Sequence, residues 1–216
     1  MKQNNLFFDL DGTLTDSAEG ILKSAAYALE HFGIRVEDLD TLRPFLGPPL
    51  WDSFMQFYGF SREEADRAVA VYRERFAEVG IFENRPYPGV EGMLERLKDN
   101  GKQIFLATSK PEIYAKRILE HFGLTGYFSG VTGSALDGSL VKKGDVLRRA
   151  MDLSGAERAS SVMIGDRKHD VLGAEENKIP CIGVLYGYGS REELIRAGAD
   201  ILADSVEELE QILLEK

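Results

Sequence analysis

The sequence predicts an α/β protein, a doubly wound, Rossmann-like parallel sheet carrying an inserted α-helical domain. Three observations lead there. From residue 86 onward, short apolar runs alternate with amphipathic segments, the pattern of parallel strands covered by helices on both faces. The run LFFDL at 6–10 is a further apolar strand, ending in acid, that stands alone at the start of the chain. Between these regions, up to about residue 84, only helical periodicity is found. Residues 1–15 and 85–216 are therefore expected to form the core, and 16–84 a helical cap inserted after its first strand.

Each element has its own signal. Asp16 and Glu19 fit a capping box for a helix whose apolar positions are Ile21, Ala25, Ala28, Leu29 and Phe32, ended by Gly33. A second helix covers about 49–58. The third starts at Ser61, with Glu64 at the box position and a stripe of Ala65, Val69, Tyr72, Phe76 and Val79. Trp51, Phe54 and Phe57 are assigned to the core of this insertion. Pro86-Tyr87-Pro88-Gly89 then punctuates the chain. Beyond it come helix 90–99, strand 102–108, helix 111–122, a short stretch near 127–132 and helix 144–153. Strand 161–165, a short helix, strand 180–185, helix 190–197, a strand near 200–203 and helix 205–214 complete the series. LEHFG occurs twice, at 29–33 and 119–123; each copy ends a helix with His in the last turn and Gly at the cap, and no duplication is implied.

With 216 residues, 44% hydrophobic and 29% charged, the chain can bury a sizeable core. A net charge of −10 repels phosphate backbones and anionic lipid, so neither nucleic acid nor membrane is an expected partner. Cys181 is the single cysteine, which excludes an internal disulfide and a cysteine-based zinc cluster. Residues 1–5 lack the apolar region of a signal peptide, and no apolar run approaches the ~18 residues of a membrane span. A soluble, cytoplasmic protein is the expectation, and nothing in the sequence specifies an oligomeric state.

Ligands of open parallel sheets bind beyond the carboxyl ends of the strands. Asp9 and Asp11 follow the first strand there, Thr108 and Ser109 end the KQIFLAT strand, and Asp166 ends SVMIG. Lys142 and Lys143 open the intervening helix. Carboxylates attract an anion only with a hard cation among them, and oxygen ligands with open positions suit Mg2+. Gly12 lets the backbone after Asp11 curl, so that amides can face an anion. An EF-hand is excluded, because its glycine belongs at position six of the loop and Gly12 is at position four.

With DLDGTLTDS, LATSK, a lysine before a helix and IGDRKHD in that order, the chain resembles the haloacid dehalogenase superfamily. The resemblance is to its Mg2+-dependent phosphatases with a helical cap, in the phosphoglycolate phosphatase and 5′-nucleotidase-like branch, and it covers essentially the whole chain. It implies that Asp9 is a nucleophile forming an aspartyl-phosphate and that Asp11 serves as acid, then base. Thr108 would bind phosphoryl oxygens, with Ser109 beside it. Lys143 would neutralise charge, with Lys142 the alternative. Asp9, the backbone carbonyl of Asp11 and Asp166 would hold Mg2+, and Asp170 would orient a water behind them. Arg43 is the cap residue chosen to meet substrate. A small phosphorylated metabolite is the implied partner. Alternatives are a mutase or phosphotransferase on the same scaffold, a metal-free dehalogenase, and a receiver-like signalling domain.

Overall fold

The computed structural model describes residues 2–137 and 139–215; residues 1 and 216, the outer ends of the expected core segments, lie outside it. The chain divides into two compact units, one ending at Asp16 and resuming at Pro86, the other Ser17–Arg85.

In chain order the elements are β1 (Asn5–Phe8), β2 (Thr15–Asp16), α1 (Ala18–His31), α2 (Leu50–Tyr58), α3 (Arg62–Arg75), β3 (Arg85–Pro86), α4 (Val90–Asp99), β4 (Gln103–Pro111) and α5 (Glu112–His121). Next come β5 (Gly130–Ser134), α6 (Lys143–Ser154), β6 (Ser161–Gly165), α7 (Lys168–Glu176), β7 (Cys181–Val184), α8 (Arg191–Ala197), β8 (Ile201–Ala203) and α9 (Val206–Leu214). Six strands form one sheet in the order β5-β4-β1-β6-β7-β8. Every pairing in it is parallel. The fold is therefore α/β, as the alternating pattern predicts. The chain winds outward from β1 to β4 and β5, then crosses to β6, β7 and β8. That reversal opens a crevice at the carboxyl ends of β1, β4 and β6. A separate two-stranded sheet pairs β2 with β3, where the chain leaves and rejoins this unit.

Alternation along the strands sorts the core. Phe7 stacks on its register partner Phe105 at 5.0 Å and joins Ala107, Met163 and Cys181 on one face of the sheet. Val146, Leu147 and Ala150 of α6, with Val171 and Ala174 of α7, cover them. Burying such side chains contributes about 25 cal/mol per Å2 of apolar surface. Cys181 is buried here as a small apolar group, its thiol pushed well up by burial. No helix among the described residues is long and apolar enough to cross a membrane.

In the helical unit α3 carries the expected capping box, with Ser61 Oγ accepting from Glu64 N–H and Glu64 accepting from Ser61 N–H. Four local expectations are corrected. The Asp16–Glu19 box does not form: Ser17 is the N-cap, without a side-chain hydrogen bond, and Asp16 lies in β2. Val79 is 51% exposed, because Phe76–Gly80 is a π turn, closed by Ile81 N–H to the Phe76 carbonyl, which rotates Val79 off the stripe. Phe57 is exposed on α2 while Phe54 is fully buried and stacked on Phe60. Strand β4 runs to Pro111 rather than ending at 108.

Candidate active site

The apolar strand β1 delivers Asp9 to the crevice, its N–H donating to the Ile164 carbonyl of β6 at 2.9 Å. The next residues fold into a tight turn in which Thr13, Leu14 and Thr15 N–H groups all converge on the Leu10 carbonyl. Gly12 makes that turn possible. Its φ of +82° lies in the left-handed region, and a Cβ there would sit 2.3 Å from Asp166 Oδ2. Asp166, fully buried after β6, accepts from Thr13 Oγ1 at 3.3 Å and from Tyr188 N–H at 2.8 Å.

Lys143 is the first residue of α6 and is buried, whereas Lys142 is its exposed N-cap. Close packing of α6 on α7 at Gly144 and Gly173 brings Lys143 to Asp170. The Asn177 amide, donating to the Gly144 and Gly173 carbonyls, braces that contact. The Lys143 ammonium stands 2.7 Å from Asp9 Oδ1 and 2.8 Å from Asp170 Oδ1. Both contacts are ion pairs by distance, with neither oxygen in a well-directed hydrogen bond, and the ammonium also donates to the Ala107 carbonyl at 2.9 Å. Burial pushes the Asp9 carboxyl up to about 6 against the pull of Lys143, with Asp170 adding repulsion. Burial, then Asp170 and Asp9, raise Asp166 well above the usual carboxylate range. Lys143 is held firmly protonated: burial disfavours its charge, but Asp170 and Asp9 outweigh that.

Asp9, Asp166 and Asp170 each offer a carboxylate oxygen, all within 4.8 Å of one another. Three carboxylates against one ammonium leave negative charge in a dry place, and the Oδ1 atoms of Asp9 and Asp170 lack a well-formed hydrogen bond. A hard divalent cation suits this donor set. The third carboxylate of the cluster is Asp170, the residue to which the resemblance gives the orienting of a water. The Asp11 carboxylate is instead taken by Lys110, whose ammonium lies 3.0 and 2.8 Å from its two oxygens. Thr108 is buried and hydrogen-bonds the Asp9 carboxylate. Ser109 beside it is half-buried. Arg43 belongs to the helical unit, in a 3-10 turn over Leu39–Phe45, where its side chain is 58% exposed and 3.6 Å from Asp40.

Two contributors were absent from the sequence reading. Lys110 lies two residues past Thr108, the same spacing that links Asp9 to Asp11, and that was its available signal. The loop after β7 is the other. Tyr186 Oη donates to the Thr13 carbonyl at 3.1 Å, and a Cβ on Gly187 would lie 2.2 Å from the Gly12 carbonyl oxygen. Tyr and Gly after a strand carry no pattern that separates such a clamp from an ordinary turn.

This crevice, with its acids, hydroxyl and lysines beyond a parallel sheet, defines a hydrolase of the haloacid dehalogenase type. Residues 6–184 match the model of the haloacid dehalogenase-like hydrolase family, and the chain belongs to that family. It sits among the family's phosphatases. It is 46% identical over 194 residues to a 5′-nucleotidase of Pseudomonas aeruginosa, covering 90% of this chain and 88% of that one. A crystal structure described as a predicted phosphatase from Clostridium acetobutylicum superposes with a TM-score of 0.97 at 51% identity, over 100% of both chains. The chain is also similar to the tyrosine-protein kinase PtkA of Mycobacterium tuberculosis, 36% identical over 210 residues, 96% of this chain and 72% of that one.

Proposed function

We propose that this protein hydrolyses small phosphomonoesters with Mg2+ through an aspartyl-phosphate on Asp9. The observation that carries the reading is the buried Lys143 ammonium 2.7 Å from Asp9, which keeps an attacking carboxylate beside a positive charge that a phosphoryl group can share. Asp9 attacks phosphorus as the bond to the ester oxygen breaks, and Asp11 gives that oxygen a proton. Asp11 then takes a proton from water, whose oxygen attacks phosphorus; the bond to Asp9 breaks and phosphate leaves. Thr108 and Ser109 bind phosphoryl oxygens; the amide expected at Gly12 does not, because Gly12 N–H donates to the Thr15 carbonyl at 2.8 Å and the next three N–H groups to the Leu10 carbonyl. Asp9, Asp166 and the Asp11 carbonyl would hold Mg2+, with Asp170 beside them, and the ion would supply charge neutralisation on the phosphoryl group.

The helical insertion, expected over residues 16–84 and found as the unit Ser17–Arg85, is proposed as the cap that selects substrate, with Arg43 as its contact. Nucleoside 5′-monophosphates and phosphoglycolate head the candidate substrates, and the cytoplasm is the proposed location. The test is a screen of phosphorylated metabolites with Mg2+, reading released phosphate. Release from small esters supports the reading, and no release from any ester sinks it. The similarity to a protein named tyrosine-protein kinase favours a second reading, transfer to an acceptor hydroxyl in place of water. Phosphorylated acceptor exceeding free phosphate would select it.

A further inference from the structure

Lys110 and Lys143 divide the two leading carboxylates between them. Lys143 faces Asp9, while Lys110 faces Asp11 with a side chain only 5% exposed. A lysine this buried is uncommon and is stable only against an opposite charge. Its placement follows from an irregularity in β4: pairing with β5 passes from Ala107↔Thr132 to Pro111↔Ser134, so extra residues on β4 bulge between the two. Bulges re-aim side chains beside active sites. Here the bulge turns Lys110 toward Asp11, and Lys110 N–H donates to Thr108 Oγ1 at 3.2 Å.

We propose that Lys110 is a positioning residue for Asp11: its ammonium, at 3.0 and 2.8 Å from the two carboxylate oxygens, fixes the rotamer from which Asp11 reaches the leaving oxygen. The inference rests on the phosphatase reading above. Asp11 is 19% exposed, so without the clamp its short side chain is free to swing. A misplacement of ~1 Å in such a group costs about 100-fold. That cost falls on one event, transfer of the Asp11 proton to the ester oxygen as its bond to phosphorus breaks. Leaving groups that depart as stable anions do not need the proton.

The experiment compares phenyl phosphate, a poor leaving group, with p-nitrophenyl phosphate, a good one, in kcat/KM, which reports the step in which the leaving group departs. Lys110→Met should lose about 100-fold on phenyl phosphate and within about 3-fold on p-nitrophenyl phosphate. Lys110→Arg should recover most of the loss, and Lys110→Gln repeats the test if the Met variant folds poorly. In an Asp11→Asn background, Lys110→Met should change neither rate, because no proton remains to be positioned. Equal losses on both esters, or an undiminished loss in the Asp11→Asn background, would overturn the role of Lys110. Should the parent protein release no phosphate from either ester, the phosphatase reading falls and this inference with it.

Discussion

Gly12 and Asp166 are packed so closely that the absent side chain of one defines the place of the other's carboxylate. A Cβ on Gly12 would lie 2.3 Å from Asp166 Oδ2 and 2.6 Å from its Cγ. Gly12→Ala must therefore displace a proposed metal ligand and also strain a backbone held at φ +82°. The expected result is a 10–100-fold loss of Mg2+ affinity, about what loss of an outer-shell partner costs. Calorimetric titration with Mg2+ checks it.

The loop after β7 packs against Asp166 as well. Gly187→Ala would bring a Cβ within 2.4 Å of Asp166 Cβ, and should weaken Mg2+ binding as Gly12→Ala does. Tyr186→Phe removes only the hydroxyl that donates to the Thr13 carbonyl at 3.1 Å. It should cost about 0.5–1.5 kcal/mol in urea unfolding, with Mg2+ affinity changed little.

Lys143→Met strands Asp9 and Asp170 beside one another with no cation between them. Breaking a buried pair from one side costs about 3–5 kcal/mol, and turnover should be lost as well. Lys142→Met, at the exposed cap, should be nearly silent in both. Urea unfolding and phosphate release on the two variants check the contrast, and Lys142→Met being the more damaging would reverse the assignment.

Metal binding and pH should be linked. Asp9 titrates at about 6 in the folded protein against 3.8 ordinarily, so the folded state binds that proton more tightly than the unfolded one. Its contribution to stability is present below 3.8 and is lost as pH rises through about 6. Mg2+ competes for the ionised form, so binding should release protons and strengthen across this range. The rise in Tm on adding Mg2+ should accordingly be larger near pH ~7.5 than near pH ~5, and scanning calorimetry at the two values reads it.

The legible parts of this fold were those with local causes. Apolar runs marked β1, β4 and β6, and the acids or hydroxyl at their ends marked Asp9, Asp11, Thr108 and Asp166, because a parallel sheet places all such ends together. The capping box at Ser61 was readable for the same reason: donor and acceptor lie three residues apart. What escaped depends on distant pairing. The extension of β4 to Pro111 is set by its register with β5, and only that bulge reveals Lys110 as a partner of Asp11. Asp16 and Glu19 had the spacing of a box, yet Asp16 accepts from Tyr188 Oη at 3.3 Å, from a residue 172 positions away. The π turn at Phe76–Gly80 closes through the main chain, and no side-chain pattern announced it.

In the proposed reaction Asp9 carries the phosphoryl group. The most direct measurement is a rapid acid quench of the Asp11→Asn variant turning over p-nitrophenyl phosphate with Mg2+, followed by peptide mass spectrometry. Because the second step needs Asp11 as base, the intermediate should accumulate, with one phosphoryl group on Asp9 and none in the Asp9→Asn protein. Turnover by Asp9→Asn at the parent rate, or a phosphoryl group found elsewhere while Asp9 stays bare, would contradict the account.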